Sequence, residues 1–176
     1  MPVYAFGVAD ASFITPGASP TYTDIPGVTE AELKLETEKV ELKGDDDILA
    51  TFFHSPKATI TLKNCVVDLG MWAKVTGDTV QSSGGTERIP IGTANVVNPP
   101  SFMLRLKVKA KDTSDSSVKY LYIYLYNCVG TITMEGPKYG EAVTCTIEAN
   151  CLPSTKDERN QNLSTPARGR LEIASS

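Results

Sequence analysis

A chain of 176 residues with 41% hydrophobic and 22% charged residues has the composition of a folded domain, and it is long enough to bury a core without disulfide or metal staples. Its 17 Lys and Arg against 21 Asp and Glu leave a formal net charge of −4. That argues against a protein whose task is to hold nucleic acid, because binding phosphate needs a cationic surplus, although a surface past which DNA slides is not excluded. The start, MPVYAFGVADASF, lacks the basic and long apolar segments of a signal peptide, and no stretch reaches the ~20 apolar residues of a membrane-spanning helix.

Residues 3–8 form a short apolar run, read as a strand or an extended arm. Residues 15–27 are rich in Pro, Gly and Ser and read as a loop, with turn signals at Pro16-Gly17 and Pro26-Gly27. Residues 30–43 carry a conflict. Their Glu, Leu and Lys content favours a helix, but Leu33 and Leu35 alternate, and Val40 and Leu42 alternate with shifted parity. The pattern predicts a strand with a bulge near residues 37–39. Lys43-Gly44-Asp45-Asp46-Asp47 is then a turn. Residues 48–53 and 58–62 follow as two strands, with Pro56 between them.

Asp68 is placed to cap a short helix, with Leu69, Trp72 and Ala73 as its apolar face and Gly77 as its stop. Residues 78–85 read as a polar, mobile loop, and Pro99-Pro100 ends another irregular stretch. Phe102, Leu104, Leu106, Val108 and Ala110 then alternate with Met103, Arg105, Lys107, Lys109 and Lys111, as in a strand with one wet face. After a turn at 112–117, Tyr120, Tyr122, Tyr124 and Tyr126 alternate with Leu121, Ile123 and Leu125. Residues 136–140 are a further turn. Val143, Cys145, Ile147 and Ala149 mark a last strong strand, and residues 160–176 read as a polar C-terminal arm. The expected fold is mainly β: an antiparallel β-sandwich or barrel of about eight strands with one short flanking helix. It is read as a single domain over 1–176, with a possible N-terminal segment at 1–27.

No residue set calls for catalysis. His54, the only histidine, follows an apolar strand with no nucleophile elbow near it, so a strand-end histidine is the favoured reading. Cys65, Cys128, Cys145 and Cys151 lack metal-ligand spacing and read as buried thiols of a reducing compartment. Asp45, Asp46 and Asp47 lack the rest of a calcium loop, and a solvated turn is favoured. No P-loop or dinucleotide fingerprint is present, so no cofactor is expected. The four tyrosines are the unusual feature. If Leu121, Ile123 and Leu125 face the core, the tyrosines face away. There they either stack sugars or bases or are covered by the short helix or by a neighbouring subunit; covering is favoured. Lys107 and Lys109 belong to a basic stripe whose acidic counterpart is Glu30, Glu32, Glu36, Glu38 and Glu41. The two stripes could pair across a subunit boundary.

The segments GVTEAEL, VELKGDDD, ATITLKN and DLGMWAKVTG, in that order across residues 27–77, resemble the core of bacteriophage major tail tube proteins. The resemblance covers about a third of the chain and rests on the order of the segments. It implies a β-sandwich or barrel whose copies form hexameric rings that stack into a tube. The implied partners are the chain itself, a tape-measure protein, the tail terminator and the tip or baseplate proteins. DNA passes through the lumen without specific binding, and no membrane anchor is implied. The implied location is the virion tail, with the host cytoplasm during assembly. Asp45, Asp46, Asp47, Tyr120, Tyr122, Tyr124, Tyr126, Lys107 and Lys109 become interface candidates. The alternatives are a monomeric carbohydrate-binding β-sandwich and a related tube of a contractile injection system. An enzyme is the least favoured class.

Overall fold

The computed structural model describes residues 3–43, 48–91, 98–113, 117–136, 139 and 142–175. The chain runs β1 (Val3–Thr15), β2 (Thr21–Asp24), β3 (Glu30–Lys43), β4 (Ile48–Val66), α1 (Leu69–Thr76), β5 (Gln81–Ser83), β6 (Thr86–Arg88), β7 (Phe102–Asp112), β8 (Val118–Met134), β9 (Thr144–Cys151), β10 (Ser154–Lys156), β11 (Asn162–Ala167) and β12 (Gly169–Ser175). It is a mainly β, antiparallel protein with one short helix among the described residues. The main sheet has the order β2-β1-β7-β8-β9-β4-β3, and β12 adds to β8. One edge of β8 pairs with β7. Its other edge is divided, with residues 119–125 against β12 and 128–134 against β9.

The sheet curls until β1 approaches β3. The link after β2 closes the gap. Ile25 N–H donates to Ala11 O on β1, Thr29 N–H donates to Lys63 O on β4, and Val66 N–H donates to Pro26 O. Inside the curl, Phe13, Ile60, Leu62, Leu104, Leu106, Leu125 and Ile147 form one core, to which α1 adds Met71 and Val75. These are the odd positions of β1, the even positions of β4 and β7 and the odd positions of β9, as the two-residue period of a half-buried strand requires. The core at α1 comes from the i, i+4 pair Met71 and Val75, while the expected Leu69, Trp72 and Ala73 are only half-buried. The caps are as expected. Asp68 Oδ1 accepts from Met71 N–H at 2.7 Å, and Gly77 takes the left-handed conformation (φ 79°) while its N–H reaches Ala73 O at 2.8 Å.

Residues 30–43 are a strand, so pattern prevails over helix propensity. Residues 48–53 and 58–62 are not two strands but one, because Pro56 sits at a bulge instead of a break. Glu36 faces Lys57 and Glu38 faces His54, so the extra residue lies in β4 around Ser55-Pro56, opposite the residues where a bulge was expected in β3. A proline is tolerated there because a bulged position needs no ladder donor. A second bulge, at Lys63-Asn64, puts Asn64 in the left-handed region (φ 62°).

Several loops predicted from composition hold strands. Residues 21–24 pair with β1, and residues 81–88 form the β5–β6 hairpin around Gly84-Gly85, both at positive φ. The largest correction is at the C-terminus. Residues 160–176 were expected to be an arm, but β12 pairs with β8 from Gly169↔Leu125 to Ser175↔Lys119 and β11 pairs with β10. Polar composition hid the alternation of Leu171 and Ile173.

Candidate interface surfaces

The even positions of β8 place Tyr120, Tyr122, Tyr124 and Tyr126 in a row on the outer face of the β1-β7-β8-β12 part of the sheet. Neighbouring rings lie 6.3 Å apart, Tyr120 to Tyr122 and Tyr122 to Tyr124. Cations from flanking strands sit on them. Lys107 Nζ is 4.2 Å from the Tyr120 ring centre, and the Arg170 guanidinium is 4.5 Å from that of Tyr124. The Arg105 guanidinium is 3.8 Å from Tyr22 and also within 3.4 Å of Asp10 Oδ2. The basic stripe is therefore partly engaged by the tyrosine ladder, while Lys109 and Lys111 remain exposed.

Half the ladder is covered, but not by α1. Tyr124 and Tyr126 are buried with Ile14 against Met103 and Leu163. The cover is the tight turn at 157–161, where the Asp157 carboxylate accepts from Arg159 N–H at 2.9 Å and Gln161 N–H at 2.8 Å. Gly17 N–H, just past the end of β1, fastens it through Glu158 O at 3.1 Å. Beneath it Glu158, 1% exposed, pairs with Arg170 at 2.7 Å. Burial, reinforced by the Glu158 carboxylate, pushes the Tyr126 phenol up to about 12. The folded state then holds a proton that the unfolded chain releases near pH 10, so this contribution to stability is complete below ~pH 10 and is lost towards the folded pKa. Urea midpoints should therefore fall more between pH 8 and pH 11 for the wild type than for Tyr126→Phe; equal falls would refute the assignment.

Three members of the acidic stripe on β3 are paired within their own hairpin. Glu30 pairs with Lys63 at 3.0 Å, Glu32 with Lys34 at 3.5 Å, and Glu41 with Lys39. Asp45, Asp46 and Asp47 lie outside the described residues, and of His54 only its backbone place opposite Glu38 is described.

Sequence reasoning missed two features. The first is an apolar groove of about 470 Å³ between the edge strands β3 and β12. Leu33, Leu35 and Ala58 line one wall and Ile123, Leu125 and Leu171 the other. Leu35 is 76% and Leu171 67% exposed. Among the described residues, β3 pairs only with β4 and β12 only with β8, so each of these two strands keeps one unpaired edge. Arg168 crosses its end, Nε donating to Pro56 O at 3.0 Å. The second feature is the cysteine arrangement. Cys128 faces Cys151 across β8–β9, and Cys65 faces Cys145 across β4–β9. Chain spacing could not reveal these pairs, because each depends on strand register. Among the described residues no group of three or more His, Cys, Asp or Glu is placed to hold a metal.

These features define a mainly β, antiparallel protein with a half-covered tyrosine–cation ladder and an open apolar groove. No protein-family model matches the chain, and no curated protein matches it.

Proposed function

We propose that this chain is a structural protein that assembles with copies of itself into stacked hexameric rings, forming a bacteriophage tail tube through which DNA is delivered. The observation that carries the reading is the groove between β3 and β12. An exposed apolar strip carried on two strands that each keep an unpaired edge is a liability in a monomer and a joint in an oligomer. Covering Leu35 and Leu171 on association would contribute roughly 2 kcal/mol each. The order of segments in residues 27–77 adds the resemblance to tail tube proteins. The β3–β4 hairpin also suits a contact between copies. Among the described residues β4 pairs with β9 only over 59–66, so the ladder over residues 48–57 is with β3 alone. On this reading the partners are further copies, a tape-measure protein, the tail terminator and the tip or baseplate proteins. The tube resides in the virion tail, and its lumen passes DNA without binding it. No catalytic step is assigned.

Negative-stain electron microscopy across a concentration series tests the proposal: rings or hollow tubes are expected. A monomer that persists when concentrated and binds glycans through Tyr120 and Tyr122 would instead establish the carbohydrate-binding reading. The double variant Leu35→Glu/Leu171→Glu should stay monomeric with a melting temperature near that of the wild-type monomer. Assembly at the wild-type concentration would remove the groove from the interface. Neutralising Lys107, Lys109 and Lys111 asks the same question of the basic stripe, and unaltered assembly would exclude it.

A further inference from the structure

We propose that Cys128 and Cys151 form a reversible disulfide tying β8 to β9, made by exchange with a low-molecular-weight disulfide such as oxidised glutathione. The proposal rests on strand register and holds whatever the chain assembles into.

The two residues are direct cross-strand partners, with their sulfur atoms 3.5 Å apart in the reduced protein. Leu152 N–H donates to Asn127 O at 2.7 Å, which makes Asn127 and Leu152 a hydrogen-bonded pair of the ladder. Antiparallel pairs alternate, so Cys128 and Cys151 occupy the non-hydrogen-bonded position, where Cα atoms stand about 4.5 Å apart and side chains are closest. That separation lies within the span a disulfide bridges without backbone movement.

The second pair provides the contrast. Cys65 Sγ points to Leu62 O at 3.7 Å and Cys145 Sγ to Cys65 O at 3.4 Å, so each of these thiols has a carbonyl acceptor besides the other thiol. The Lys63-Asn64 bulge lies directly before Cys65. Burial pushes the Cys145 thiol up to about 12 and raises that of Cys65, leaving both inert.

The first pair is chemically asymmetric. The hydrogen bond to Cys151 and burial raise the Cys128 thiol, while the hydrogen bond from Cys128 outweighs burial at Cys151, with Arg168 adding its charge, and lowers it. Position in the strand makes Cys151 the attacking thiol, and the direction of its shift agrees. It ends β9 and precedes the exposed Leu152, so fraying of the strand end admits the oxidant.

In the first step Cys151 Sγ attacks one sulfur of the small disulfide, whose S–S bond breaks and releases one thiolate. Cys128 then loses its proton to that thiolate and attacks Cys151 Sγ, expelling the second. Two protein thiols are oxidised by two electrons, and the small disulfide is reduced to two thiols that carry both protons.

The test uses the intact folded protein incubated with oxidised glutathione, then denatured, alkylated and mapped by mass spectrometry without reduction. The expected result is loss of two of the four thiols, a linked Cys128–Cys151 peptide, and a melting temperature higher by roughly 5–10 °C that dithiothreitol reverses. Cys65→Ser/Cys145→Ser should retain the bridge and Cys151→Ser should lose it. Mapping of the wild type decides the matter even if a variant misfolds. Persistence of all four thiols, a bridge through Cys65 or Cys145, a link between chains, or a stable mixed disulfide with glutathione would each overturn the proposal.

Discussion

Gly169→Ala is expected to destabilise the protein by about 3 kcal/mol, the upper end of the range for overpacking. A Cβ at this position would stand 2.0 Å from Tyr124 O and 3.2 Å from Leu125 Cδ2. The first obstacle is a backbone oxygen, which no rotamer change can move aside. Relief requires β12 to separate from β8, which breaks the ladder from Gly169 to Ser175 and draws Arg170 away from Tyr124 and Glu158. Urea unfolding would give the magnitude. Amide hydrogen exchange would give the location, as faster exchange confined to residues 169–175 and to their partners on β8. Gly136→Ala is the matched control, because nothing lies within 4 Å of its added methyl group. Equal stability of the two variants would mean that β12 is not held by this close approach.

Arg170→Ala should cost about 2–3 kcal/mol. Removing one member of a buried ion pair strands the other, a loss of roughly 3–5 kcal/mol when both are fully buried. Here the Glu158 side chain is 2% exposed but that of Arg170 is 35% exposed, so solvent screening lowers the figure. The asymmetry gives the sharper prediction. Glu158→Gln removes the charge from the buried side and leaves a partly solvated guanidinium, so it should cost less than Arg170→Ala. In the double variant the penalty of Arg170→Ala should shrink, because no uncompensated carboxylate remains. A double-mutant cycle measures this coupling, and strict additivity would show that Glu158 and Arg170 do not act as a pair.

What could be read in the sequence was what lies along one strand or one helix. The β7 alternation from Phe102 to Ala110, the tyrosine row of β8, and the α1 caps at Asp68 and Gly77 all depend on local periodicity or on a single residue's conformational preference. Pro56 misled because a proline ends a strand only where its missing N–H is needed, and a bulge removes that need. β12 was hidden because only Leu171 and Ile173 signal it, among charged and small neighbours. The groove and the cysteine pairs were beyond reach for another reason. Both are products of register between segments far apart in the chain, which no window along the sequence samples.

The division of one edge of β8 between β9 and β12 has a consequence for synthesis. Chains fold from the N-terminus as they emerge, and residues 118–134 appear well before Glu158 and Gly169. Until translation reaches β12, the edge of β8 from Lys119 to Leu125 has no partner on that side, and Tyr124 and Tyr126 have no cover. A nascent chain that stalls in this interval is expected to present an open strand edge beside aromatic surface, the kind of feature that holdase chaperones bind. Synthesis of β12 thus acts as a proofreading step, withholding the finished surface from any chain that has not been read through that strand.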